Sequence, residues 1–193
     1  MLILGSNSPR RWELLNLAGV KIDKVIPPNI DEKQLAGELP RAYVKRIALD
    51  KSKAIGKSLE DYLITADTAV AKGRRILGKP KDEIEARDYL RLLSGGRHRV
   101  LTAVCLTYND MVRTRIVETS VKMKNLSNLE IESYIKCEEW KGKAGGYAIQ
   151  GHAAMFIPFI SGSYTNVQGL PLTETINLLT GMGFKLDLEE LKN

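Results

Sequence analysis

Six charged side chains, Arg10, Arg11, Glu32, Lys51, Asp67 and Lys79, stand at helix starts or where apolar runs give way to loops. Together they suit metal-assisted cleavage of a polyphosphate. Lysine and arginine offset phosphate charge, and a guanidinium grips two oxygens at once. Hard carboxylate oxygens suit Mg²⁺ or Mn²⁺, and one carboxylate can take a proton from attacking water. The same residue types scattered over a solvated surface are the plain alternative.

Other chemistries find less support. The chain has two histidines, His98 and His152, and neither sits in a nucleophile motif. There is no GxSxG, no Walker A ending and no GxGxxG. Cys105 and Cys137 lie far apart without CxxC spacing, so they read as small buried apolar residues rather than a zinc site or a disulfide.

The elements that must position these groups follow from local patterns. Leu2-Ile3-Leu4 reads as a buried strand, followed by a Gly/Ser/Asn loop. Ser8 suits a helix N-cap and Pro9 the first helical position. Leu14, Leu15 and Ala18 give that helix a core face, and Gly19 ends it. Arg10 and Arg11 therefore fall in a first turn, where free N–H groups attract anions. Arginine there has the wrong sign for the helix dipole, so an anionic ligand explains the choice better than helix stability does.

Residues 22–26 read as a short strand, and 29–32 as a loop with two adjacent carboxylates. Pro40 opens a long helix with apolar residues at helical spacing and Lys51 near its core edge. Residues 62–66 form a β-rich run that stops at Asp67-Thr68, which puts a carboxylate at the end of a buried strand. Asp82 and Glu85 form a capping box for a helix ending at Gly95-Gly96, and Ser127 and Glu130 form another. Residues 100–108 and 112–123 make an antiparallel hairpin. Residues 156–160 read as a strand. Residues 143–151 are a glycine-rich loop where backbone can approach a ligand closely, 162–171 are a second small-residue loop, and a last helix spans about 172–180. This order predicts an α/β protein with a mixed, strongly twisted sheet and flanking helices.

The 193 residues carry a net charge of +6 with aromatics at 6%. The sign suggests an anionic partner. The scarcity of aromatics argues against a stacking platform for nucleic acid, and a charged nucleotide explains the sign equally well. No apolar run reaches membrane-spanning length, and the apolar start lacks the basic residues of a signal peptide. A cytoplasmic protein is expected.

SNSPRR (6–11), IDE (30–32), KSKA (51–54), ADTAV (66–70), LGKP (77–80), LSGGRHRVLTAV (93–104), GKAGGYAIQG (142–151) and GSYTNVQGLPL (162–172) resemble, in order, the motifs of the Maf family of nucleotide pyrophosphatases. The resemblance runs nearly the whole length and implies one domain over 1–193. Its two lobes would flank a central cleft, in a fold like that of the inosine-triphosphate pyrophosphatases. It also implies hydrolysis of a nucleoside triphosphate to monophosphate and pyrophosphate. By analogy Asp67 is the proton acceptor, and Glu32 with Asp67 holds the divalent metal, Mg²⁺ or Mn²⁺. Ser6, Arg11, Lys51 and Lys79 bind the triphosphate. Arg10, Thr68 and Gln150 match the subgroup acting on dTTP and UTP; members specific for 7-methyl-GTP typically have Trp, Gln and Glu there. A homodimer is also implied.

Gln150 offers both a donor and an acceptor, as a uracil or thymine edge requires. A glutamine satisfying loop backbone is the alternative. A purine triphosphate substrate, and a nucleic-acid-binding or division-regulating protein with a vestigial cleft, are the competing functional readings.

Overall fold

The structure, a computed structural model, describes residues 1–186. Seven strands form one sheet: β1 (Leu2–Gly5), β2 (Lys24–Val25), β3 (Tyr62–Lys72), β4 (Arg75–Leu77), β5 (Arg97–Tyr108), β6 (Met111–Lys122) and β7 (Phe159–Ser161). Their order is β2-β1-β3-β5-β6-β7, with β4 also paired to β3. β1 runs parallel to β2 and β3, and every other pairing is antiparallel. The sheet is mixed, as the element order predicts. Its helices are α1 (Pro9–Leu17), α2 (Pro40–Ala54), α3 (Glu83–Leu93), α4 (Asn128–Lys136), α5 (Tyr164–Gln168) and α6 (Leu172–Gly181). None of the described helices is long and apolar enough to cross a membrane.

Strand alternation divides most of the long strands between three cores, with Leu63 in a small fourth cluster beside Ile3 and Ile55. On one face, Ile64, Ala66, Val104 and Leu106 join Leu14, Leu15, Leu178 and Leu179 of α1 and α6. Further along the same face, Val70 and Val100 join Leu90, Leu93 and Tyr134 of α3 and α4. Between these two cores the face is polar, because Thr68 pairs with Thr102. On the opposite face Val44 and Ala48 of α2 pack on Ala69, Ala71, Ala103 and Cys105. These small sheet residues allow the helix to come close. Thr65 Oγ1 fixes it by donating to the Ala48 carbonyl at 2.7 Å.

The strand carrying Asp67 does not stop there; it continues to Lys72. What ends is its pairing on one edge. β1 pairs with β3 only as far as Gly5↔Thr65, and β4 begins at Val70↔Leu77. Residues 66–69 are left without a strand neighbour on that edge, and this gap opens the cleft.

Several local expectations also change. Ser8 occupies the N-cap of α1 but makes no side-chain cap bond; its backbone N–H donates instead to Ser6 Oγ at 3.1 Å. Asp82 accepts from Glu85 N–H, while Glu85 receives Lys81 N–H rather than that of Asp82, so this capping box is only half formed. The box of Ser127 and Glu130 is complete. The last strand lies at Phe159–Ser161, later than expected, and the loop over 162–171 contains α5. Cys105 is buried as expected, but Cys137 is exposed.

Candidate active site

The gap in the edge of β3 forms the floor of a cleft of about 510 Å³, lined by Ser6, Arg10, Arg11, Glu32, Lys51, Asp67, Thr68, Lys79 and Gln150 together with other residues. All nine residues singled out in the sequence therefore border one hollow. Six cations, Arg10, Arg11, Lys51, Lys79, Lys141 and Lys143, face two carboxylates, Glu32 and Asp67, in that lining. Such a concave, basic surface concentrates polyanions.

Asp67 projects from β3 toward α2, where Lys51 comes down from the helix. Lys51 Nζ lies 2.8 Å from Asp67 Oδ1 and 3.0 Å from Glu32 Oε1. Lys51 and Asp67 are both buried. Asp67 Oδ2 is also buried and has no hydrogen-bond partner among the described residues. Burial pushes the Asp67 carboxyl above the usual carboxylate range, against the opposing pull of Lys51 and Arg11.

Glu32 reaches this point because α2 fastens its loop. Tyr43 Oη donates to the Glu32 carbonyl at 3.0 Å. Arg46 donates to both oxygens of Glu38 at 2.7 Å each, and to the Lys33 carbonyl at 3.0 Å. Residues 43, 47 and 51 share one face of the helix, so the face that packs the core also carries the lysine.

Arg11 is buried and largely occupied by the protein itself. Nε donates to the Gly169 carbonyl at 2.9 Å, and Nη1 to Ser6 Oγ at 3.1 Å and the Ala66 carbonyl at 2.8 Å. Nη2 donates to Thr68 Oγ1 at 3.2 Å. Four of the five guanidinium N–H groups are thus committed, one of them to the Ala66 carbonyl in the gap of the sheet. Thr68 Oγ1 also meets Thr102 Oγ1 at 3.0 Å and the Gly169 carbonyl at 3.3 Å. Arg11 therefore joins the opening loop, β3 and the loop after α5 into one cleft wall, and leaves its charge beneath the cleft.

Arg10 is half-buried and holds the Gln168 carbonyl at 3.3 Å. Lys79 and Gln150 are exposed at the rim. Gly145 draws the loop over 142–151 against the strand. Its φ is +70°, a Cβ there would sit 2.8 Å from the Val70 side chain, and its N–H donates to the Gly78 carbonyl at 2.9 Å. That contact brings the Lys79 and Lys143 segments together. Lys143, Tyr43 and Gln168 line the cleft but were not picked out from the sequence. Burial, and Arg10 beside it, lower the pKa of Lys143. Only its place beside the glycine pair could have marked it.

The residues fit a divalent cation. Asp67 Oδ2 is a buried, unpartnered anionic oxygen, and Glu32 supplies a second hard carboxylate on the same lysine.

Fold and cleft together define an α/β protein built to receive a polyanion. The chain belongs to the Maf family: the model of the Maf-like protein family matches residues 1–182. A dTTP/UTP pyrophosphatase of Roseobacter denitrificans is 54% identical, over 96% of this chain and 98% of its own. One from Cereibacter sphaeroides is also 54% identical, over 96% of both chains. One from Zymomonas mobilis is 50% identical, over 96% of this chain and 93% of its own. Among solved structures, the Staphylococcus aureus Ham1 protein is similar at 17% identity, with a TM-score of 0.47 over 94% of this chain and 96% of that one.

Proposed function

We propose that this protein is a pyrophosphatase that hydrolyses dTTP and UTP to the monophosphate and pyrophosphate. The observation that carries this reading is the buried Asp67 carboxylate, with one free oxygen, on the floor of a basic cleft. The names of the relatives, at 50–54% identity over nearly the whole chain, supply the substrate class.

The triphosphate lies along the cations, with Lys79 and Lys143 on its oxygens and the Arg11 charge beneath. Ser6, held by Arg11, offers its hydroxyl from the opening loop. Water attacks the α-phosphorus, the bond to the bridging oxygen breaks, and pyrophosphate leaves. Asp67 takes the proton from that water. Lys51 holds the carboxylate in one orientation through Oδ1, leaving Oδ2 for chemistry. A divalent cation, Mg²⁺ or Mn²⁺, held by Glu32 and Asp67 would neutralise phosphate charge and polarise the reacting phosphoryl group. Gln150 reads the pyrimidine edge from the rim, and Arg10 and Thr68 line the same cleft. The same reading carries a homodimer and a cytoplasmic location.

The test is a panel of nucleoside triphosphates with Mg²⁺, scored for pyrophosphate. Release of pyrophosphate from dTTP and UTP ahead of purine nucleotides is expected. Release of orthophosphate alone, or equal turnover of purines, overturns the assignment.

A further inference from the structure

A second cluster of ligating side chains lies apart from the carboxylates of the cleft. Cys137 follows the end of α4, Glu139 lies two residues later, and His152 comes in from the turn after Gln150. Their donor atoms all lie within 4.8 Å of one another. A tetrahedral zinc site has ligand–ligand edges of roughly 3.3–3.8 Å, given metal–ligand bonds of about 2.0–2.3 Å. Small side-chain shifts would therefore close the set around one ion.

The carboxylate is already fixed in place. Both its oxygens receive the His152 backbone N–H, at 3.1 and 2.9 Å, and His152 Nδ1 contacts Oε1. A Cβ at Gly151 would overlap this carboxylate, so the glycine leaves it room. Cys137 Sγ donates to the Tyr134 carbonyl at 3.0 Å and is otherwise exposed. Met155 adds a thioether to the hollow of about 240 Å³ that Cys137 and His152 line. Sulfur, imidazole and one carboxylate form a borderline-soft donor set, unlike the all-oxygen pair in the cleft.

We propose that Cys137, Glu139 and His152 form a binding site for a borderline transition metal ion of the zinc type, with water as the fourth ligand. Binding expels the thiol proton to solvent and leaves a thiolate on the metal, so affinity rises with pH. The ion would clamp the turn that carries Gln150. Ala148 N–H donates to Tyr134 Oη on one side of that residue, and His152 N–H to Glu139 on the other.

The test is Zn²⁺ titration of the full chain by calorimetry, with excess Mg²⁺ added to compete for the carboxylates of the cleft and Co²⁺ as a spectroscopic probe. One Zn²⁺ per chain is expected, together with a thiolate-to-cobalt charge-transfer band in the near ultraviolet. Cys137→Ser and His152→Gln, both at exposed positions, should each weaken Zn²⁺ binding at least tenfold, and Cys137→Ser should abolish the band. Zinc affinity unchanged within twofold in both variants, or cobalt spectra without the band in the parent protein, would overturn the proposal and leave an ordinary Glu139–His152 ion pair. Neither readout depends on nucleotide turnover, so failure here is distinct from failure of the pyrophosphatase reading.

Discussion

Lys51 Nζ donates to Asp67 Oδ1 at 2.8 Å, and both side chains are buried. The same ammonium reaches Glu32 Oε1 at 3.0 Å. One lysine therefore holds two carboxylates from separate segments at one point of the cleft. Lys51→Met should remove that centre. Breaking a buried pair by deleting one partner costs about 3–5 kcal/mol, so the thermal midpoint should fall. Lys51 opposes the upward push of burial on the Asp67 carboxyl. Its loss should move the acid limb of the kcat/KM profile to higher pH. An unmoved limb in a folded variant would show that Asp67 is not the titrating base.

Asp67→Asn keeps the shape of the side chain and removes its basicity. Turnover should fall by roughly 10²- to 10⁴-fold, the usual contribution of a positioned base. Nucleotide affinity, measured by equilibrium binding, should stay within a few-fold.

Arg11→Lys tests whether this arginine acts through the wall it builds. The change removes a fork that serves Gly169, Ser6, Ala66 and Thr68. Hydrogen bonds to charged groups contribute about 1.5–3 kcal/mol each, and an orphaned buried acceptor adds its own cost. A loss of about 2–4 kcal/mol in urea unfolding is expected, alongside a fall in activity. A variant as stable as the parent would assign Arg11 to substrate alone.

Gln150→Glu should reorder the substrates. The amide donor becomes an acceptor, which mismatches a uracil or thymine edge. Rates with UTP and dTTP should fall at least tenfold relative to those with purine triphosphates, because the bound base would cover this side chain and leave the mismatched groups unpaired, at about 1–3 kcal/mol. Equal losses across all bases would mean that Gln150 shapes the loop instead.

His98 makes stability depend on pH. Its Nε2 lies 2.7 Å from Tyr147 Oη, and burial lowers its pKa from 6.5 to about 4. The unfolded chain binds the proton more readily, so this contribution is complete above about pH 6.5 and is lost as pH falls toward 4. The full span is worth about 3 kcal/mol. Denaturant midpoints measured between pH 7 and pH 4 should fall less steeply in His98→Gln than in the parent.

Local signals in the sequence carried the elements. The opening strand-loop-helix, the hairpin of β5 and β6, and the cap of Ser127 on α4 depend on residues within a few positions of one another. Side-chain period and capping chemistry therefore reveal them. The site residues were legible one by one, as charges placed at helix starts and near the ends of apolar runs, and the order of motifs pointed to the family.

How those residues are joined was decided only in three dimensions. Asp67 looked like the end of a strand because Asp67-Thr68 interrupt the apolar run, yet β3 runs on; the gap is in its partners, between Gly5 and Leu77. Arg11 meets Gly169 across 158 positions of sequence, and Lys51 meets both Glu32 and Asp67. Cys137 read as a core residue by type, but its surroundings put it at the surface. Charge and period are properties of nearby residues and survive in the linear chain. Burial, pairing and the commitment of most of a guanidinium's donors arise only when distant segments exclude water from one another.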